Sequence, residues 1–330
     1  MTRPKISILI PTYNYARYLP EALDSILRQD RGDFEVIISD DASSDNTAEI
    51  VAPYTAKDSR FHFHRQTKNL GMVANWNWCL QQAGGDYIHC LFADDFFISP
   101  SALSRLAAEL DKHPEAGLAV AGRRLADENS HLGITAENLG RDGIHDGKQA
   151  IRRCLLASKN LIGEPSVVMF RKSLAVRGFN SRFKQLVDLE MWFHLCNQAT
   201  LAFVAEPLCA FRQHAEQQTA VNARDEGTRL EMFRLFQEYQ HATNCEKTGF
   251  TARLTYYTIV FATLKGLRRS PLALPEVEAA ISHLQRLIPK IWLPLAFLNY
   301  RISKQFNLLI RSIRKRRLRS GEILCSGIKA

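Results

Sequence analysis

Along the first 120 residues, runs of β-branched and aromatic side chains alternate with stretches in which apolar residues return every three or four positions. That alternation predicts an α/β domain on a largely parallel sheet. Lys5 to Ile10 reads as the first strand, followed by a helix from about Leu19 to Gln29 with Leu19, Leu23, Ile26 and Leu27 on one face. Glu35 to Ser39 is the second strand, Asn46 is expected to cap a helix starting at Thr47, and Phe61 to His64 is a third, edge strand. A helix over Met72 to Ala83 precedes the unbroken apolar run Tyr87 to Phe92, the pattern of a strand covered on both faces.

Pro100 to His113 predicts a further helix and Ala116 to Ala121 a further strand, after which residues 122–147 turn polar and glycine-bearing and read as an irregular crossover. The α/β pattern resumes with a helix at Lys148 to Ala157, a strand at Ser166 to Phe170, a helix at Asp188 to Gln198 and a strand at Leu201 to Ala205. Beyond about Ala220 only helical periodicity is left. The expected organisation is therefore an α/β domain over residues 1–220 and a helical region over 221–330.

The candidate chemistry lies at strand ends. Asp94-Asp95 follows the buried fourth strand and Asp40-Asp41 closes the second, both at the carboxyl edge where open α/β sheets bind ligands. Adjacent carboxylates repel unless a cation offsets them, and Mg²⁺ or Mn²⁺ takes one or two carboxylates together with phosphate oxygens. Taken alone, each doublet also reads as a polar turn or a helix cap. Two strands ending alike point to a shared crevice, to which the first strand adds Pro11-Thr-Tyr-Asn14, with Tyr13 placed to stack on a base.

These segments resemble the family 2 glycosyltransferases of GT-A fold. The likeness is carried by Ser7-Ile-Leu-Ile-Pro-Thr-Tyr-Asn14, Tyr18-Leu-Pro-Glu-Ala-Leu-Asp-Ser-Ile-Leu-Arg-Gln29, Glu35-Val-Ile-Ile-Ser-Asp-Asp-Ala-Ser-Ser-Asp-Asn-Thr47, Asn69-Leu-Gly71 and Ala93-Asp-Asp95, and spans roughly residues 4–215. It implies a Rossmann-like, mostly parallel sheet flanked by helices, with an α-helical C-terminal extension. It implies that Pro11, Thr12, Tyr13, Asp40 and Asp41 contact the nucleotide, that Asp94 contacts ribose, and that Asp95 ligates Mn²⁺ or Mg²⁺. Asn69 to Asn75 resembles the family's lid over the nucleotide, with Asn75 its polar contact.

Further on, Val187-Asp-Leu-Glu-Met-Trp192 resembles the motif that carries the catalytic base, which makes Asp188 the candidate acceptor of the hydroxyl proton. Val187 stands where the family has Glu, and Asp188 alone also reads as an ordinary acid at a helix N-terminus. Gly163-Glu-Pro-Ser166 resembles the loop that walls donor sugar and acceptor, with Glu164 reaching either. Phe211-Arg-Gln-His214 resembles the element in which Arg212 supports the diphosphate and His214 reaches the metal, although a lone histidine is more often structural. The implied activity is inverting transfer of a sugar from a nucleotide-sugar, UDP-sugars being the expected donors, to a glycan or lipid-linked hydroxyl in cell-envelope or exopolysaccharide synthesis. A catalytically degenerate membrane-associated scaffold and a nucleotidyltransferase are the alternatives. The second needs a glycine- and base-rich phosphate loop that Pro11 to Ala16 does not supply.

Charge alters this reading only at the C-terminus. The net charge of +9 looks like a nucleic-acid signal, yet from Arg286 onward there are eleven Lys/Arg against Glu322 alone, which leaves the preceding 285 residues close to neutral. In that tail Trp292, Leu295, Leu298, Ile302, Phe306, Leu309 and Ile313 recur at helical spacing among Arg301, Lys304, Arg311 and the cluster Arg314 to Arg319. Residues 286–319 thus read as a basic amphipathic helix lying on an anionic membrane, with packing against the protein as the alternative. No nucleic-acid module accompanies it. The apolar run before Pro11 is too short for a signal peptide, no stretch is long enough to span a bilayer, and seven scattered cysteines form no CxxC pair. The expected location is the cytoplasm, peripheral at the inner face of the cytoplasmic membrane.

Overall fold

The structure, a computed structural model, describes residues 3–136, 139–222, 230–240, 249–268 and 275–302. It divides into two compact units, Met1–Thr243 and Asn244–Ala330. The first contains β1 (Ile6–Thr12), α1 (Leu19–Leu27), β2 (Phe34–Asp40), α2 (Thr47–Lys57), β3 (Phe61–Arg65), α3 (Met72–Gln82), β4 (Tyr87–Cys90), β5 (Phe96–Phe97) and α4 (Ala102–Lys112). It continues with β6 (Ala116–Ala126), β7 (Leu132–Thr135), β8 (Gly143–His145), α5 (Gly147–Ala157), β9 (Val168–Arg171), α6 (Val187–Cys196), β10 (Thr200–Arg212), α7 (Gln218–Asn222) and α8 (Glu231–Tyr239).

Among the described residues the strands form one sheet in the order β3-β2-β1-β4-β9-β6-β10-β5, with β7 on β6 and β8 on β10. The first four run parallel, as the alternating pattern predicts. The rest is mixed: β9 lies antiparallel between β4 and β6, and β5 antiparallel on β10. Residues 122–147, expected to be irregular, instead lengthen β6 to Ala126 and supply β7 and β8. β7 and β8 are short and largely exposed strands in which Leu132, Ile134 and Ile144 stand among glycines, too few residues to register as a period.

β1 is buried from Ile6 to Ile10, and its register sets Thr12 beside Asp40, so the two strand ends meet at one edge. Behind the sheet, the Leu19, Leu23 and Ile26 face of α1 and the Leu103, Leu106 and Leu110 face of α4 are fully buried. The cap of α2 departs from expectation. Asn46 makes no side-chain cap bond; Asp45 Oδ1 accepts from the Thr47 N–H at 3.1 Å and from its hydroxyl at 2.6 Å, while Oδ2 accepts from the Ala16 N–H at 2.9 Å. Asp45 therefore ties the loop after β1 to the helix after β2. Cys79, Cys90, Cys154, Cys196 and Cys209 are buried free thiols.

The first unit reaches past the expected boundary near residue 220, because α8 is anchored in it. Buried Glu231 accepts from the backbone N–H groups of Lys184, Gln185 and Leu186 at 2.6, 2.9 and 2.7 Å, and Tyr239 donates to Glu190 at 2.7 Å. Helical periodicity marks α8 as a helix without saying what it packs on. The second unit holds α9 (Gly249–Leu267), α10 (Pro275–Leu287) and a helical stretch over 293–302. Within it Asn299 donates to Thr258 at 2.9 Å and Phe297 and Tyr300 meet Phe261 edge-on. No described helix is long and apolar enough to cross a membrane. The expected basic segment is described as far as residue 302; Phe306 to Arg319 lie outside the described residues.

Glu231 thus fixes the loop that enters α6. Glu231→Ala leaves three partly buried N–H groups without their acceptor and is expected to lower unfolding free energy by about 2 kcal/mol, read from the urea midpoint.

Candidate active site

The Asp94-Asp95 turn leaves β4 by a tight bend in which the Asp95 N–H bonds the Phe92 carbonyl at 3.0 Å. Both carboxylates are nearly sealed, at 8% and 1% exposure. Asp95 Oδ2 accepts from the Ser166 hydroxyl at 2.5 Å and Oδ1 from the Arg212 N–H at 2.9 Å, which joins the end of β4 to the start of β9 and the end of β10. Burial, and then the neighbouring Asp94 charge, hold the Asp95 carboxyl well above the usual carboxylate range. A cation would relieve that cost.

The donor set suits the implied Mn²⁺ or Mg²⁺. Two adjacent hard oxygen donors keep lone pairs beyond those used by Ser166 and Arg212. Among the described residues no cluster of three or more His, Cys, Asp or Glu could hold a metal. One or two carboxylates completed by substrate phosphates is the usual arrangement for these ions.

His214, expected at the metal beside Asp95, meets Asp94 instead: its Nε2 lies 3.1 Å from Asp94 Oδ2. Its ring is packed between Tyr18 at 4.7 Å and Tyr15 at 5.6 Å, and its Nδ1 is buried without a hydrogen bond among the described residues. Tyr15 and Tyr18 were not singled out by the sequence, since aromatic residues after a strand carry no distinguishing spacing.

Arg212 is a correction. Expected at the diphosphate, it is 1% exposed, and its guanidinium is committed to the protein. Nε donates to the Asp94 carbonyl at 2.7 Å, Nη1 to the Ser130 hydroxyl at 2.8 Å, and Nη2 to Glu21 at 2.5 Å. The rings of Tyr18 and Phe96 cover its plane. Buried and held by these partners, it braces the acidic turn.

At the ends of β1 and β2, Thr12 Oγ1 and Asp40 Oδ2 are buried without hydrogen bonds to described residues; the Arg65 Nε lies 3.5 Å from Asp40. Such neighbouring orphans are polar positions that a base could satisfy. Tyr13 beside them is 47% exposed, and Pro11 continues β1 opposite Ser39. Asp41 and Asn75 are corrections. The Asp41 carboxylate accepts from the Leu70 and Gly71 N–H groups at 2.6 and 3.0 Å, so it clamps the Asn69-Leu70-Gly71 segment. Asn75, 2% exposed, bridges to Ser39 through its oxygen at 2.6 Å and its nitrogen at 3.0 Å, which joins α3 to β2.

Asp188 opens α6 and is partly accessible. Its Oδ1 accepts from the Leu189 N–H at 2.7 Å and its Oδ2 from Asn160 Nδ2 at 3.0 Å. Burial, with the nearby Glu164 charge adding to it, pushes Asp188 up to about 7. Val187 points into the core at 1% exposure. Asn160 also brackets Gly163, donating to its carbonyl at 2.8 Å and accepting from its N–H at 2.9 Å. Trp192 Nε1 holds the same carbonyl at 2.9 Å, which gives this buried indole a structural task. Gly163 sits at φ +144°, and a Cβ there would lie 2.5 Å from Val167.

Residues 7–178 match the model of glycosyl transferase family 2. The chain belongs to that family. It is 34% identical over 66% of its length to an uncharacterized Mycobacterium tuberculosis protein, of which it covers 70%. It is 32% identical over 54% of its length to a Campylobacter jejuni GalNAc(5)-diNAcBac-PP-undecaprenol beta-1,3-glucosyltransferase, covering 56% of that protein. Among solved structures, S. aureus TarS in complex with UDP-GlcNAc superposes with a TM-score of 0.58 at 18% identity over 84% of each chain. The fold is GT-A, here with a mixed sheet and a helical C-terminal region.

The bracing role of Arg212 has a direct consequence. Arg212→Lys leaves Glu21 and the Asp94 carbonyl without a planar partner and is expected to cost about 3 kcal/mol of stability with no nucleotide present, measured by thermal unfolding. An unchanged midpoint with weakened UDP binding would return Arg212 to the phosphates.

Proposed function

We propose that this glycosyltransferase moves a sugar, with inversion, from a UDP-sugar to a hydroxyl of a glycan or lipid-linked acceptor, using Mn²⁺ or Mg²⁺. The observation that carries the reading is one loop, residues 160–166, bonded to Asp188 through Asn160 and to Asp95 through Ser166. It ties together two carboxylates in different surroundings, as is needed to separate a metal ligand from a base.

In this reading Asp40, Thr12 and Tyr13 receive the base, and Asp94 and Asp95 lie under the ribose and diphosphate. The ion supplies neutralisation of charge on the leaving diphosphate. Asp188 takes the acceptor hydroxyl's proton as that oxygen bonds to the anomeric carbon, and the bond from that carbon to the diphosphate breaks with its electron pair leaving on the phosphate oxygen. A carboxyl poised at about 7 is a stronger base than an exposed aspartate while still ionising near neutrality. The name of the Campylobacter relative, an undecaprenol-linked glucosyltransferase, supports a lipid-linked acceptor.

A place at the inner face of the cytoplasmic membrane is supported within the second unit by Ile291, Leu295, Leu298 and Ile302, exposed by 78, 39, 55 and 54% along one side. Leu293 and Phe297, exposed by 44 and 42%, extend the apolar surface beyond that side, and Ala296 is fully buried. Lys290 and Arg301 accompany this stripe, and each buried apolar side chain of this kind contributes about 1.5–3 kcal/mol.

Three measurements test the reading. In thermal-shift assays UDP-sugars should stabilise wild type only with Mn²⁺ or Mg²⁺ and leave Asp95→Ala unmoved; equal metal-independent shifts would sink it. Because the base works deprotonated, kcat/KM should fall as pH drops below about 7, and Asp188→Asn should lose at least about a hundredfold across the range. The full chain should sediment with vesicles containing anionic phosphatidylglycerol and release when Leu298 and Ile302 are both changed to Asp.

A further inference from the structure

An aromatic residue on α3 is accounted for neither by the nucleotide positions nor by the base. The helix buries Asn75, Cys79 and Leu80, and Trp76 stands off that face, half-buried. Its ring lies 4.7 Å from that of Phe92, tilted by 41°, and meets Phe179 edge-on at 5.3 Å. Phe92 is half-buried as well, whereas Phe179 is 3% exposed. Two aromatic rings thus stay partly open side by side. Trp192 donates its ring N–H to the Gly163 carbonyl at 2.9 Å, but the indole N–H of Trp76 meets no acceptor among the described residues.

Both contacts of Trp76 lead into the candidate active site. The Phe92 N–H donates to the Ser166 hydroxyl at 3.1 Å, and that hydroxyl donates to Asp95 at 2.5 Å. Asn77, the next residue of α3, holds the Phe179 backbone, accepting from its N–H at 2.7 Å and donating to its carbonyl at 2.9 Å. From Phe179 the chain runs through residues 184–186, fixed by Glu231, into the helix that Asp188 opens. Trp76 therefore touches the strand end that leads to Asp94 and Asp95 and the segment that leads to the proposed base.

We infer that Trp76, with Phe92 beside it, is a stacking surface for a pyranose ring of the acceptor, so that the hydroxyl receiving the sugar belongs to a glycan and not to a lipid phosphate or a simple alcohol. This rests on the glycosyltransferase reading above and narrows its acceptor. One face of a pyranose is lined by C–H groups, whose slight positive charge suits the negative face of an indole. Stacking leaves the ring's hydroxyls free, so one of them can be offered to Asp188. The transferred sugar is held through its own diphosphate, whereas an acceptor arrives unattached and needs a surface of its own to be oriented. A phosphate or a linear alcohol presents no face that an indole could hold.

The test is steady-state transfer by the full chain with Mn²⁺ from UDP-glucose, UDP-galactose and UDP-GlcNAc. Acceptors are the octyl β-glycosides of glucose, galactose, GlcNAc and mannose and, lacking a sugar ring, octanol and undecaprenyl phosphate. Wild type should transfer to at least one glycoside and to neither of the others. Trp76→Leu, which keeps apolar bulk against Phe92 and Phe179 but removes the indole, should raise the acceptor KM about tenfold and leave kcat and the donor KM within about twofold; Trp76→Phe should lie nearer wild type. Should Trp76→Leu fail to fold, Phe92→Leu carries the same expectation and the same refutation. An unchanged acceptor KM, an equal rise in donor KM, or preferred transfer to octanol or undecaprenyl phosphate would each overturn the assignment. Metal-dependent donor hydrolysis without transfer to any glycoside would overturn it too, and leave the donor reading standing. No turnover of any donor would overturn the catalytic reading, and this assignment with it.

Discussion

The rest of the site depends on the two hydrogen bonds that close around the Asp95 carboxylate. Ser166 comes from the loop entering β9 and the Arg212 N–H from the end of β10, so one side chain gathers three strands that are 71 and 117 residues away along the chain. An ionised carboxylate sealed at this depth is costly, and two donors offset only part of the cost. The remainder is a local preference for positive charge, created by folding and held until a ligand arrives.

Around that point the protein keeps its charges in separate compartments. Arg212 is engaged on Glu21, Ser130 and the Asp94 carbonyl, and Arg123 on Glu164, so the buried cations nearest the acidic turn serve carboxylates and carbonyls of the scaffold. Glu190, which takes both Arg177 and Tyr239, does the same for the far side of α6. Rigid placement of Asp188 follows from these pairs because its helix is pinned at its entry loop, along its buried face and through Trp192.

The parallel half of the sheet and the strand ends that bear Thr12, Asp40 and Asp94 were legible in the sequence, because a fully buried strand writes a continuous apolar run and its polar end interrupts that run abruptly. The antiparallel course of β9 was not, since four apolar residues in a row carry no direction. Side-chain duties divided along the same line. The motifs drew attention to Asp188 and Glu164, but the bracing by Arg212, the clamp made by Asp41 and the burial of Asn75 depend on partners 118, 29 and 36 residues away in the chain. Arg123 left no trace at all in the pattern, standing in a stretch that read as irregular. Local periodicity reports what a residue is next to in sequence, and these roles are set by what it meets across the fold.

The Asp41 clamp bears on how the proposed donor would enter. Leu70 and Gly71 have their N–H groups held before any nucleotide is present, with Gly71 in the left-handed region at φ +85°. The entropy of ordering that segment is thus discharged during folding and not during the encounter. In the proposed reading a nucleotide would meet a wall already standing, and the free energy of its contacts would go to residence time and not to the building of its own container.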